Sequence, residues 1–311
     1  MFSSIIPLEI DETIIDLLAE DDTNYAAVKA CSLVCRAFLP LCRKHIFASI
    51  VLNGIHPRRK SQSPSPTARQ LERLLSASPE IADYIRKLDY NIVVGDSTTS
   101  LFQECLTRIT KLQFLAVRRY NRGKLEWSNN RLRPVFLHLL HLPTLTHFKV
   151  TVISKFVVSD LIPCVNLKTL DIGLYSTTLT PTNTFSATLP NCSIRLNEFI
   201  SGVGSANAIM NICAAQRPDG QPVIDFSSLT KITVEIEKDD EIEASEELFG
   251  RCKQLTYVCI TCEKRYFLPS SLMLLITLPS STEPQVDSSQ HFQHAVAIHA
   301  DTGAPLHIYL C

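Results

Sequence analysis

Neither sign of charge is in excess in this chain. Its 311 residues carry 30 Lys and Arg against 31 Asp and Glu, a formal net charge of −1. No global field is therefore present to hold a nucleic-acid backbone or an anionic membrane, and neither is expected as a partner. Charged residues make up only 20% of the chain and hydrophobic ones 45%, which excludes a disordered polyelectrolyte and predicts an extended folded core. Long apolar runs are missing as well. The stretch near Leu272 to Leu278 is interrupted by Thr277 and falls far short of the roughly 18 to 20 residues that span a bilayer. The opening MFSSIIPLEIDETIID lacks a cationic start and turns acidic, unlike a secretory signal. A soluble protein of the cytoplasm, the nucleus or both is expected.

Strings that announce chemistry are equally scarce. No nucleophile elbow, P-loop or HExxH occurs. Gly202-Val203-Gly204-Ser205 lacks the third glycine and the clean preceding strand of a dinucleotide site and reads as a loop. The 11 cysteines form an uneven set spread thinly over the chain, unlike the dense framework of a disulfide scaffold. Cys259 and Cys262 make a C-x-x-C, but on a strand residues three apart face opposite ways and no second ligand pair stands at zinc spacing. His291, His294, His299 and His307 cluster near the C-terminus without a Cys or carboxylate pattern. No metal, no cofactor and no catalytic residue is expected. An enzyme built on a Cys–His pair would need an activated nucleophile with its base, which no string supplies.

What is present begins with helices. Ile10, Ile14, Ile15, Leu17 and Leu18 make an apolar stripe at helical spacing, with Asp11, Glu12, Asp16 and Glu20 opposite. The acidic break at residues 20–24 offers capping oxygens for a second helix carrying Val28, Cys31, Val34, Cys35 and Phe38 on one side, and a third is expected after Pro40. Three helices in about forty residues bury little apolar surface alone, so a partner or the next domain must cover the rest.

The order Pro7-Leu8-Glu9-Ile10, Ile14-Ile15-Asp16-Leu17-Leu18, Ala30 to Phe38 as ACSLVCRAF, and His45-Ile46-Phe47 resembles an F-box, in the version found in large fungal F-box families. Phe38 stands where the family usually has Trp, and Ile6-Pro7 replaces Leu-Pro; both changes keep an apolar side chain of usable size. The resemblance implies docking to the Skp-type adaptor of an SCF-type cullin–RING ubiquitin ligase. The residues it assigns to that contact are Pro7, Leu8, Glu9, Ile10, Ile14, Leu17, Leu18, Leu33, Val34, Cys35 and Phe38. The alternative is a small helical subdomain that caps the rest of the fold.

Residues 53–66 read NGIHPRRKSQSPSP, a linker by composition, with a short basic run at Arg58-Arg59-Lys60 and two Ser-Pro pairs. Beyond it one string recurs, an apolar residue with others at +3 and +5: Ile85/Leu88/Tyr90, Leu112/Leu115/Val117, Leu145/Phe148/Val150, Leu167/Leu170/Ile172, Leu229/Ile232/Val234 and Leu255/Val258/Ile260. With Leu196/Phe199 as a degenerate copy, seven copies stand about 28 residues apart, close to the leucine-rich period. Helical stripes lie between them: Leu71/Leu74/Leu75, then Leu101/Phe102/Cys105/Leu106/Ile109, then Val135/Phe136/Leu139/Leu140. The fold class expected is therefore α/β, with an N-terminal three-helix F-box-like module over 1–52. An irregular leucine-rich-repeat-like solenoid with a parallel sheet follows over 67–278. A doubly wound α/β sheet is the alternative. No copy has Asn eight residues after its first apolar position; Tyr120, Ile153, Tyr175, Glu237 and Glu263 stand there. Irregular turns and uneven curvature should follow, since that Asn satisfies buried backbone groups. The tail, 279–311, is polar and then offers two short strands that would cap the open edge.

Arg118-Arg119-Tyr120-Asn121-Arg122-Gly123-Lys124, with Trp127 close behind, follows an expected strand. A cationic and aromatic patch of Arg118, Arg119, Tyr120, Arg122 and Trp127 would suit an acidic segment of a target protein; a solvated loop is the alternative. The chain reads as a non-catalytic substrate-recognition subunit that holds an unidentified protein target near the ubiquitin-charged enzyme, with catalysis supplied by proximity. The other reading is a repeat-based interaction scaffold unrelated to ubiquitination.

Overall fold

In the computed structural model, residues 8–21, 25–53, 66–92, 100–119, 125–173, 178–179, 192–262, 294–299 and 305–310 are described. Pro7, Arg58 to Lys60, Ser63 to Ser65, Tyr120, Arg122, Tyr175, Glu263, His291 and the segment 279–290 lie outside them, whereas Pro66, placed in the expected linker, opens a helix. The described chain is α/β with a parallel sheet, and it divides into two compact units, Met1–Leu115 and Ala116–Cys311.

Unit one opens with three helices, α1 (Leu8–Asp21), α2 (Ala26–Val34) and α3 (Phe38–Ile46). Glu9 and Asp11 occupy the first turn of α1, where the helix dipole favours negative charge. The core of the three is thin. Ile15, Val28 and Cys42 are fully buried, and Leu18, Ala19, Tyr25, Cys31, Phe38, Leu41 and Ile46 pack against them. Charge pins α1 to α3: Lys44 Nζ lies 2.7 Å from Glu12 Oε1 and 2.9 Å from Asp16 Oδ1, and His45 Nε2 lies 2.7 Å from Asp16 Oδ1. The Lys44 hydrogen bond is the main cause holding the Asp16 carboxyl below its ordinary range.

Two sequence expectations are corrected here. α2 stops at Val34, and Cys35 is extended, so Cys35 and Phe38 do not continue the face of that helix; Phe38 instead opens α3. Pro40 lies inside the first turn of α3 rather than ahead of it, where its missing N–H is one of the donors a helix leaves unpartnered.

Immediately after α3 the chain enters β1 (Ser49–Leu52), then α4 (Pro66–Ala77), a 3-10 turn over Pro79–Tyr84, β2 (Lys87–Asn91), α5 (Ser100–Thr107) and β3 (Phe114–Arg118). β1 pairs in parallel with β2, Ile50 opposite Leu88 and Leu52 opposite Tyr90. Phe47/Ile50/Leu52 is thus a further copy of the string, unrecognised in the sequence because the expected module boundary at 52 enclosed it. Arg86 O accepts from the N–H groups of Gln113 and Phe114, repeating at the next step the bonds that Ala48 O receives from Arg86 and Lys87. Ala68, Leu71 and Leu75 of α4 and Phe102, Cys105 and Leu106 of α5 are the buried faces.

Unit two continues with β4 (Leu125–Glu126), α6 (Arg133–Leu140), β5 (His147–Thr151), β6 (Ile153–Ser154), β7 (Phe156–Val157), β8 (Thr169–Ile172), β9 (Thr178–Leu179), β10 (Ile194–Arg195) and β11 (Glu198–Ser201). α7 (Ala206–Ala214), β12 (Ile224–Asp225), β13 (Lys231–Ile236), α8 (Asp239–Phe249), β14 (Tyr257–Cys262), β15 (His294–His299) and β16 (Pro305–Leu310) complete it. β5, β8, β11, β13 and β14 pair in parallel in chain order, Phe148, Leu170, Phe199, Ile232 and Val258 standing in one row. That row and the next, Val150, Ile172, Ser201, Val234 and Ile260, are buried, so the +3 and +5 positions of each string supply the core side of the sheet. Leu196/Phe199 proves a true strand position whose third member is a serine. Three two-residue ladders, β4–β6, β7–β9 and β10–β12, are parallel as well. β16 adds in parallel to β14, and β15 adds to β16 antiparallel.

The turn after β5 is irregular: Val152 and Lys155 both take positive φ, 57° and 55°, a conformation that costs a β-branched residue most. Ile153, in the position where Asn would stand, is fully buried instead.

Candidate functional site

The residues assigned to adaptor docking divide between surface and core. Ile10, Ile14 and Leu17 of α1 are 50%, 46% and 57% exposed, and Leu33 and Val34 of α2 are 87% and 72% exposed. Glu9 and Cys35 are exposed, and Leu8 begins α1. Leu18 and Phe38 are half-buried and pack against the module's core. The expected single stripe on α1 is split. Ile15 and Leu18 point inward beside buried Asp11, whereas Ile10, Ile14 and Leu17, spaced i, i+4, i+7, form a separate outward stripe. Five of the eight exposed large hydrophobics among the described residues belong to these two short helices.

The basic string fares differently. Arg118 ends β3, and the Arg119 N–H donates to Thr151 O. Trp127, expected as the aromatic member of a surface patch, is fully buried, and that assignment is withdrawn. Its ring stacks on Phe136 at 5.7 Å and tilts against Phe156 at 5.0 Å, and its Nε1–H donates to Asp160 Oδ2 at 2.7 Å. Asp160 also receives Arg133 Nε and Nη2. The indole is therefore an internal anchor with its one donor satisfied.

The outward row across unit two was not singled out in the sequence. Parallel register aligns Lys149, Asp171, Ile200, Thr233 and Cys259. Lys149 Nζ donates to Asp171 Oδ2 at 2.6 Å, and Thr169 Oγ1 donates to Glu198 Oε2 at 3.4 Å. Burial nevertheless pushes the Asp171 carboxyl above its ordinary range, outweighing the help of Lys149. Only the strand register brings these residues together, and a single sequence does not display it.

The cysteines behave as small core residues where they are buried. Burial pushes Cys252 up to about 12, Cys213 up to about 11, and Cys164 higher still. Thiols so held stay protonated and weakly nucleophilic. Cys42 is raised by burial and then by neighbouring Cys31 and Cys35. No group of three or more His, Cys, Asp or Glu suited to a metal occurs among the described residues, and no helix among them is long and apolar enough to cross a membrane. The Gly202 to Ser205 turn is bound by carboxylates: Val203 N–H donates to Glu235 and Gly204 N–H to Glu241.

No protein-family model matches this chain, and no curated protein matches it.

Proposed function

We propose that the chain is the substrate-recognition subunit of an SCF-type ubiquitin ligase, its first helices docking a Skp-type adaptor and its strand repeats binding a protein target. The observation that carries this reading is the outward apolar set Ile10, Ile14, Leu17, Leu33 and Val34 on three helices whose core has, among the described residues, three fully buried members. A helix pair so small does not leave that much apolar surface in water unless a partner covers it, and an i, i+4, i+7 stripe is what a helix-in-groove contact uses. The F-box-like order of residues named above supplies the identity of the partner. The order β5-β8-β11-β13-β14, sequential up to the terminal β16 and β15 pair, favours a stacked repeat over a doubly wound sheet, in which order reverses at an internal switch point.

Co-purification of the full chain with a Skp-type adaptor tests the reading. Replacing Ile10 and Ile14 together with Glu should weaken the complex by about a hundredfold or more, as for central apolar anchors, while leaving the helical signal of the chain unchanged. Binding unaffected by the pair would favour the second reading, in which the helices only cap unit one. One observation speaks for that reading: β1, the strand that directly follows α3, is already part of the sheet.

A further inference from the structure

We propose that an open recess in unit one binds a phosphate-class dianion through Arg86 and Lys111. The end of α3 supplies Lys44 and His45 to its wall, the following 3-10 turn supplies Glu80 and Asp83, and Arg86 and Lys111 stand just ahead of β2 and β3.

Most of the charges there are already matched. Lys44 and His45 face Glu12 and Asp16, and Arg43 Nη1 lies 3.0 Å from Glu80 Oε1. Arg86 differs. Its Nη1 donates to the backbone carbonyls of Asp83 at 2.6 Å and Ile85 at 3.2 Å, and among the described residues no carboxylate stands in ion-pair contact with it. These two bonds fix the guanidinium plane and leave the rest of its fork for another acceptor. Lys111 is held loosely, its Nζ being 3.7 Å from Asp83 Oδ1 with both side chains half exposed. Asp83 Oδ1 also accepts from Thr110 Oγ1 at 3.4 Å, which draws that carboxylate toward the Thr110 side.

The recess thus presents one oriented guanidinium with no carboxylate partner among the described residues and one ammonium held only by a 3.7 Å pair. A tetrahedral dianion can take the remaining fork of the guanidinium and the ammonium together, which a monoanion of chloride size cannot. Neither Ile10 nor Ile14 lines the recess, so this inference and the adaptor reading stand or fall separately.

The test is a titration of the full chain with inorganic phosphate at constant ionic strength, followed by thermal unfolding and by ³¹P line broadening, with O-phosphoserine as a second probe. Saturable stabilisation by phosphate beyond that given by chloride is expected. Arg86→Gln and Lys111→Gln should each weaken it by about tenfold or more, and Arg86→Lys, which keeps the charge but not the fork, should do so partly. Lys231→Gln in unit two should change nothing. Tighter binding of phosphoserine than of phosphate would identify a phosphorylated side chain as the source, and equal binding a free anion. No stabilisation beyond chloride, or an equal response in Lys111→Gln and Arg86→Lys, would overturn the proposal.

Discussion

At the scale of single residues, small changes at strand ends decide how closely neighbouring strands approach. A Cβ at Gly173 would overlap Thr151 Oγ1 and lie 3.0 Å from Thr151 Cβ and Cγ2. Thr151 Oγ1 is buried and has no hydrogen-bond partner among the described residues. Gly173→Ala should therefore cost about 1–3 kcal/mol by overpacking, and Thr151→Ala in the same chain should restore most of that in chemical denaturation. Asp171 gives a pH-dependent case. Its folded-state carboxyl is raised by burial, so folding disfavours its charged form at neutral pH and this penalty disappears as pH falls below the unfolded value near 3.8. Asp171→Asn should thus be neutral or stabilising at pH 7, with the gap to the parent closing toward pH 3. A loss above about 2 kcal/mol at pH 7 would show that the Lys149 pair dominates instead. Trp127 shows where residue type misleads. A lone aromatic beside arginines reads as a contact residue, but the sequence does not reveal that Phe136, Phe156 and Asp160 converge on it.

At the scale of elements, the strands of the recurring string and helices α4 to α6 were legible because periodicity reports burial directly, whereas α7 and α8 were not singled out. Leu170, Phe199 and Ile232 occupy the places their strings assign them, and Val135, Phe136, Leu139 and Leu140 all face the core. The missing asparagine pointed correctly to irregular turns, as at Val152 and Lys155, but not to what takes its place. Glu241, at the start of α8 and only 2% exposed, accepts from Glu237 N at 2.5 Å and Lys238 N at 3.0 Å through one oxygen, and from Gly204 N through the other. One buried carboxylate thus caps its own helix and closes the turn that follows β11, a link across 37 residues that no local pattern announces. Glu241→Ala should cost about 2–4 kcal/mol by orphaning buried N–H groups, while Glu241→Gln, which keeps one acceptor, should recover part of that. Equal stability of Glu241→Ala and the parent in denaturant melts would refute this role.

For the whole molecule, the proposed reading rests on a parallel sheet and on the exposed apolar face of the first helices, to which it assigns a target and an adaptor. The charge balance noted first fits that division. Lys44, Arg133 and Lys149 are paired locally with Asp16, Asp160 and Asp171, and the surface that stands out on the first helices is apolar. That surface was only half legible in the sequence. The spacing of Ile10, Ile14 and Leu17 gave a stripe, but which side of α1 faced outward depended on Ile15 and Leu18 meeting Val28 and Cys42 in the thin core. The most direct measurement of the central claim is titration calorimetry of the full chain against a purified Skp-type adaptor, alongside the chain carrying Ile10→Glu and Ile14→Glu. The account predicts a stoichiometric complex for the parent and an affinity lower by about a hundredfold or more for the variant. Absence of binding by the parent, or equal binding by a folded variant, would contradict it.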